Sequence, residues 1–203
     1  MHIVCLDLEG VLIPEVWIEF AEATGIPELR LTTRDIPDYD QLMTRRLSIL
    51  AEHGLGLPQI QEVIETMEPL PGARAFLDQL RAKGQVIILS DTFYEFAGPF
   101  MRKLGLPTLF CHSLGVGDGG VIVDYHLRQS DPKRRAVIAL KQLNFTTVAV
   151  GDSYNDTTML SEAHAGILFR APDNVVGEFP QFPHTREYVE LDEAIEAALA
   201  PLG

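Results

Sequence analysis

Two acids two positions apart, Asp7 and Glu9, close the apolar run His2-Ile3-Val4-Cys5-Leu6, and Gly10 follows them. A continuous apolar run reads as a strand buried on both faces, and the carboxyl ends of such strands are where open α/β sheets hold ligands. Carboxylates that close repel each other unless a cation neutralises them. Later segments carry matching groups: a hydroxyl in Ile88-Leu89-Ser90-Asp91-Thr92, an amine in Asp131-Pro132-Lys133, and more acids in Gly151-Asp152-Ser153-Tyr154-Asn155-Asp156. Strand-end carboxylates, a hydroxyl and a lysine are the parts of a magnesium-dependent phosphoryl-transfer site.

Each residue has a chemical and a plain structural reading. Asp7 is a candidate nucleophile, because a carboxylate is ionised at neutral pH and its attack on phosphorus gives an acyl phosphate. Glu9 is then the general acid for the leaving group and the general base for the incoming one. The alternative is a strand-end acid capping a neighbouring helix. Asp152, after Val148-Ala149-Val150, is a second strand-end acid. Magnesium takes oxygen ligands and keeps several waters, so Asp7, Asp152 and the Glu9 carbonyl suffice for the protein share. Asp156 is either a partner of the next helix's dipole or an orienter of the ligands. Ser90 either donates to phosphate or caps a helix. Asp131 and Pro132 read as N-cap and first helical residue, which puts Lys133, Arg134 and Arg135 in the first turn. Cations there oppose the helix dipole, and a bound anion offsets that cost for Lys133. A solvated basic face accounts for Arg134 or Arg135.

Two charges in residues 14–69 stand out. Tyr39, Leu42, Met43, Leu47 and Leu50 form an apolar helical stripe, and Arg46 falls inside it. Arg46 either snorkels along the core edge or forks onto a carboxylate in a pocket. Glu15 falls with Glu19 and Glu22 on a polar face and on pattern alone is a solvated helix-start acid.

The elements that must position these groups alternate. Strands at 2–6, 85–90, 107–111, 146–151 and 165–169 are separated by helices at 72–83, 93–104, 131–143 and 155–163. That pattern predicts an α/β fold, a Rossmann-like parallel sheet with crossover helices. Glycines 115, 117, 119 and 120 predict a β-hairpin within 114–129. Residues 14–69 read as helices at 15–24, 38–53 and 58–67, punctuated by Gly25, Pro27, Pro37, Gly54 and Gly56. This predicts a helical cap subdomain at 14–69 inserted into a core of 1–13 plus 70–203. Residues 172–184 read as irregular, before a final helix at 191–200.

The 203 residues, 46% hydrophobic with 16 Gly and 13 Pro, describe an ordinary globular chain. A formal net charge of −13 argues against a nucleic-acid or anionic-membrane partner, while a metal can still invert the field in one pocket. The 2 cysteines, Cys5 and Cys111, lie in apolar runs and read as core residues. With no signal-peptide pattern and no run of membrane-spanning length, the expectation is a cytoplasmic protein. The acidic surface and hairpin permit a homodimer. Neither a Walker-type loop nor a dinucleotide fingerprint occurs, and the 6 histidines lack metal spacing.

In order, Asp-x-Glu, Ser, Lys and Gly-Asp-x-x-x-Asp resemble the motifs of the haloacid-dehalogenase superfamily, and the helical insertion is placed like that family's first-position cap. The chain looks like the phosphoserine phosphatase type. It is most similar to the bifunctional phosphoserine phosphatase/phosphoserine:homoserine phosphotransferases, also in Ala165–Phe169 and Ser90–Phe96. The resemblance implies Asp7 as nucleophile, Glu9 as acid/base, and magnesium on Asp7, the Glu9 carbonyl and Asp152. It implies Ser90 and Lys133 on the phosphate, Glu15 on the substrate ammonium, Arg46 on its carboxylate, and Asn155 with the Asp91 backbone beside it. Phosphoserine and homoserine are the small-molecule partners so implied. Glu9 departs from the aspartate usual at its position, moving the carboxylate by about one bond length. Two other readings stand beside this one: a phosphatase for another small phosphomonoester, and a receiver-like module that stores a phospho-Asp.

Overall fold

The computed structural model describes residues 1–32, 35, 36 and 38–200; residues 33, 34 and 201–203, and with them the punctuating Pro37, lie outside the described residues. Seven strands form one sheet: β1 (His2–Leu6), β2 (Gln85–Phe93), β3 (Thr108–Val116), β4 (Ile122–His126), β5 (Thr146–Gly151), β6 (Ala165–Phe169) and β7 (His184–Thr185). Their order is β4-β3-β2-β1-β5-β6-β7. Every pairing is parallel except β3 with β4, which is the antiparallel hairpin.

The order explains why β1 carries chemistry. From β1 the chain moves outward on one side through β2 and β3, then returns to the other side of β1 with β5. The reversal opens a crevice beyond the carboxyl ends of β1, β2 and β5. Leu6, the last residue of β1, is level with Ile88 on one side and Val150 on the other, so Asp7, Ser90 and Asp152 follow close after one common level of the sheet.

Both faces of β1 are covered, which is why its sequence is apolar throughout. Val4 and Leu6 pack with Phe76, Leu77 and Leu80 of α4 (Ala73–Lys83) and with Leu191 and Ile195 of α9 (Tyr188–Leu199). Ile3 and Cys5 face the opposite layer, made by α6 (Pro132–Gln142), α7 (Thr157–Glu162) and α8 (Asp173–Glu178). Cys5 and Cys111 are buried and free, as their apolar runs suggest.

Between β1 and α4 lie α1 (Val16–Thr24), a 3-10 turn Pro27–Arg30, α2 (Tyr39–Glu52) and α3 (Leu57–Thr66). Their apolar stripes join the larger core: Trp17 and Phe20 meet Phe93, Phe96 and Phe100 of the β2 end and α5 (Tyr94–Lys103). The hairpin braces this module. Tyr125 of β4 donates a hydrogen bond of 2.5 Å to Asp40 of α2, and Gly56 before α3 abuts the carbonyl of Gly120 in the hairpin turn.

Four sequence expectations change. β2 runs to Phe93 rather than ending at residue 90, because Phe93 still pairs with His112 across an irregularity between Leu89 and Phe93 of β2. β3 extends to Val116, its first half in the parallel sheet and its second half an arm of the hairpin. Residues 172–184 are not irregular throughout: Asp173–Glu178 is helical, and His184–Thr185 adds a short edge strand to β6. The final helix begins at Tyr188, since Tyr188 stacks on Phe76 and Phe169 and is pinned there.

Candidate active site

Asp7 directly follows β1. Its backbone N–H donates to Val150 O at 2.9 Å, which extends the β1–β5 ladder by one residue. One carboxylate oxygen, Oδ1, accepts from Leu8 N–H at 2.8 Å and meets Lys133 Nζ at 2.9 Å. The side chain is aimed before any substrate arrives. Gly10, at φ +76°, turns the chain back, and a Cβ there would lie 2.5 Å from Asp152 Oδ2. The glycine in this motif therefore lets the Asp7 loop close on the second strand-end acid.

Asp152 and Asp156 leave the end of β5. Asp156 is fully buried, and its Oδ2 accepts from the N–H groups of Asp152 and Ser153 at 3.0 and 3.2 Å. Its Oδ1 takes Lys133 Nζ at 2.8 Å. A side chain at Gly151 would collide with that carboxylate. The bonds of Asp156 serve both roles open to it: the Ser153 N–H bond closes a capping box at the start of the next turn, and the Lys133 contact ties it to the cluster. Asp7, Asp152 and Asp156 together form a buried group whose carboxylate oxygens lie within 4.8 Å of one another.

The electrostatics follow from that crowding. Burial first, then the charges of Asp156 and Asp152, push the Asp7 carboxyl well above the usual range, and Lys133 only partly counters them. Burial also works against the Lys133 ammonium, but Asp156, Asp7 and Asp91 outweigh it and hold its pKa well above the ordinary value. One ammonium among several carboxylates leaves an excess of negative charge. An oxygen-rich, partly neutralised cluster of this kind fits a hard divalent cation. Asp7, Asp152 and Asp156 each offer a carboxylate oxygen to such an ion.

Lys133 reaches the cluster from the first turn of α6 and is 3% exposed. Arg134 instead turns outward to Glu162 at 3.1 Å. Asp131 stands at the N-cap position with Pro132 as first helical residue, and its carbonyl accepts from Arg135 N–H at 3.0 Å. Its side chain makes no cap bond: the backbone is left-handed at φ +47° and the carboxylate accepts from Thr158 instead. Ser90, 4% exposed, lies inside β2, so it is not the N-cap of α5; its Oγ accepts from Thr92 N–H at 3.2 Å.

A cavity of about 90 Å³ joins these groups to the helical insertion. Asp7, Ser90 and Lys133 line its floor; Glu9, Glu15 and Arg46 line its other side. Arg46 does not snorkel. It is 7% exposed, lies 4.4 Å over the Trp17 ring, and donates from Nη2 to Leu31 O at 2.8 Å. Its buried Nε has no hydrogen-bond partner. Burial lowers its pKa to about 10, with Tyr39, Glu9 and Glu15 opposing the shift. An unsatisfied buried guanidinium nitrogen costs energy until an acceptor reaches it. Glu15, read from pattern as solvated, instead lines this cavity.

The Glu9 side chain lines the cavity, and Oε2 accepts from Val16 N–H at 3.1 Å, capping α1. Asn155 donates to Asp91 Oδ2 at 2.8 Å.

Residues 1–164 match the family model of the haloacid dehalogenase-like hydrolases. The chain belongs to the haloacid dehalogenase-like hydrolases, on their phosphoserine phosphatase branch. It is 65% identical over 191 residues to phosphoserine phosphatase ThrH of Pseudomonas aeruginosa, covering 94% of this chain and 93% of that protein. It is 63% identical to a phosphoserine phosphatase of Pseudomonas syringae, covering 94% and 81%. A solved substrate-bound phosphoserine phosphatase shares the fold at a TM-score of 0.76 and 22% identity, covering 95% of this chain and 97% of that one.

In this haloacid dehalogenase-like hydrolase, sequence reasoning passed over three groups that the site uses. Tyr39, counted as apolar stripe, donates its hydroxyl to Asp91 O at 3.3 Å and lines the cavity. His112, 3% exposed, places Nε2 3.4 Å from Asp91 Oδ1. The Asp91 carboxylate itself lies 3.5 Å from Lys133. Only the Asp91 backbone was expected there, and nothing local to Ser90-Asp91-Thr92 signals a contact 42 residues along the chain. None of the helices in the described residues is long and apolar enough to cross a membrane.

Proposed function

We propose that the chain takes the phosphoryl group of O-phospho-L-serine onto Asp7 and passes it to water, as a phosphatase, or to L-homoserine, as a phosphotransferase. One observation carries the reading of an anionic amino-acid ester: a buried lysine beside Asp7 and a buried, half-satisfied arginine share the walls of one small cavity. Phosphate and α-carboxylate need two separate cations, and the substrate ammonium needs an acid. Lys133, Arg46 and Glu15 fill those roles. The relatives named phosphoserine phosphatase support the same substrate.

The proposed steps are these. Leu8 N–H and Lys133 hold Asp7 in line with the crevice, so its attack on phosphorus needs little reorganisation. Ser90 and Lys133 bind the phosphoryl oxygens and steady the charge spread over them. Glu9 protonates the departing serine oxygen, giving serine and the aspartyl phosphate. The incoming water or homoserine hydroxyl then gives its proton to Glu9, attacks phosphorus and returns Asp7. Magnesium, on Asp7, Asp152 and the Glu9 carbonyl, would screen the carboxylates and the phosphoryl charge. Residues 14–69 act as the cap that carries Arg46 and Glu15 over the floor.

Glu9 supports the transferase half. Its carboxylate is shared with the N-terminus of α1, so the acid/base is tied to the insertion rather than to the floor alone. A base drawn toward the cap activates an alcohol lodged there better than a loose water. Phosphorus NMR of protein, magnesium and O-phospho-L-serine, with and without L-homoserine, tests this. A phosphohomoserine signal that needs homoserine is expected. Phosphate alone in both tubes would remove the transferase, and no turnover would remove the substrate.

A further inference from the structure

We infer that the Asp91 carboxylate is a built-in competitor of phosphate for Lys133, a fixed negative charge that weakens binding of the phosphate dianion and so speeds its release. This rests on the reading of Lys133 as the phosphate grip.

The Lys133 ammonium has three hydrogens and three carboxylate neighbours. Asp156 Oδ1 and Asp7 Oδ1 lie at 2.8 and 2.9 Å, Asp91 Oδ2 at 3.5 Å. A phosphoryl oxygen arriving at Asp7 must take over one of these hydrogens, and the longest contact is the easiest to displace. Asp91 loses least by giving it up, because Asn155 Nδ2 donates to the same oxygen at 2.8 Å. His112 faces the other oxygen. Its Nδ1 accepts from Arg128 N–H at 3.1 Å, so the ring proton sits on Nε2, aimed at Asp91 Oδ1 3.4 Å away.

These partners keep Asp91 charged as well as in place. Burial alone would raise its pKa, but Lys133, His112 and Asn155 together hold the carboxyl below the usual carboxylate range. The site therefore keeps an anion where its own ligand is anionic. A like charge a few ångströms from a dianion disfavours the bound state. The empty site gains in return, since the third hydrogen of Lys133 faces a carboxylate when no phosphate is there. Product phosphate leaves the more readily for it.

Calorimetric titration of inorganic phosphate into magnesium-loaded protein tests this, with Asp91→Asn, which keeps shape and removes charge. Asp91→Asn should bind phosphate about tenfold tighter, a change of about 1.4 kcal/mol. For O-phospho-L-serine, KM should fall about tenfold and kcat should fall with it, as when ground-state repulsion is relieved. Asp91→Glu, which retains the charge, should stay as weak as the wild type. Asp91→Ser removes the same charge with less bulk, and must tighten likewise if Asp91→Asn does not fold. Unchanged phosphate affinity in the neutral variants would overturn the inference. Weaker binding would overturn it too, since Asp91 would then be positioning Lys133. Wild-type protein that neither binds phosphate nor turns over O-phospho-L-serine would take the proposed function down first; wild-type turnover with an indifferent Asp91→Asn removes this inference alone.

Discussion

Replacing Lys133 by methionine keeps most of the side chain's volume and removes its charge, so the effect is electrostatic. In the folded protein the ammonium is 3% exposed and sits between Asp7 at 2.9 Å and Asp156 at 2.8 Å. Asp156 is fully buried and stays fixed by the N–H groups of Asp152 and Ser153. Taking one partner from a buried ion pair strands the others, at about 3–5 kcal/mol. For a chain of this size that is a fall of roughly 6–20 °C in melting temperature. The sign with pH follows. Asp7 already has its carboxyl raised by burial and by its acidic neighbours, and losing Lys133 raises it further. A carboxyl whose folded pKa exceeds its unfolded value costs stability above the unfolded pKa, and the cost shrinks as pH falls toward it. Lys133→Met should therefore lose most in EDTA at pH 7.5 and visibly less at pH 5.5. Magnesium should restore part of the loss, because a cation bound only by the folded state stabilises it. Melting curves of wild type and variant at both pH values, with EDTA and with magnesium, measure all three effects. A loss below about 1 kcal/mol would refute the reasoning, since such values are ordinary for surface substitutions. So would a loss indifferent to both pH and magnesium.

Other substitutions probe separate parts of the site. Asp7→Asn should abolish turnover, yet raise the stability of metal-free protein by about 1–2 kcal/mol, because it removes a charge the interior disfavours; a lower melting temperature in EDTA would contradict this. Arg46→Met should raise KM for O-phospho-L-serine about 100-fold by leaving the α-carboxylate unpaired, while a phosphomonoester without a carboxylate should lose far less. Equal losses for both esters would mean that Arg46 supports the fold rather than the substrate. Glu9→Asp should raise the ratio of phosphate to phosphohomoserine and, by shortening the reach to Val16 N–H, cost about 1 kcal/mol of helix capping. An unchanged product ratio by phosphorus NMR would separate Glu9 from acceptor choice.

The legible part of this protein was the part written in local patterns. Val4 and Leu6 face one layer and Ile3 and Cys5 the other, and that two-sided burial is what an unbroken apolar run encodes. Strand ends follow at once, and with them Asp7 and Asp152. Lys133 announced itself as a cation in the wrong turn of a helix, and Arg46 as a charge within an apolar stripe. What stayed hidden depends on partners distant in sequence. Glu15 repeats the spacing of a solvated acid, yet it stands just before α1 and lines the cavity. Asp131 has the composition of an N-cap but a backbone in the left-handed region, with Thr158 as its partner. The Asp91–His112 contact joins β2 to β3 across an irregular register, which no periodicity reports. α8 and β7 were lost among prolines, because a six-residue helix and a two-residue strand carry too few positions to show a period.

The central claim is that phosphorus passes through Asp7. Rapid acid quenching of protein, magnesium and O-phospho-L-serine, followed by peptide mass spectrometry, tests it most directly. The account predicts one phosphoryl group on the peptide holding Asp7, depleted when homoserine is present and missing in Asp7→Asn. Turnover with an unmodified Asp7, or a phosphoryl group on another residue, would contradict it.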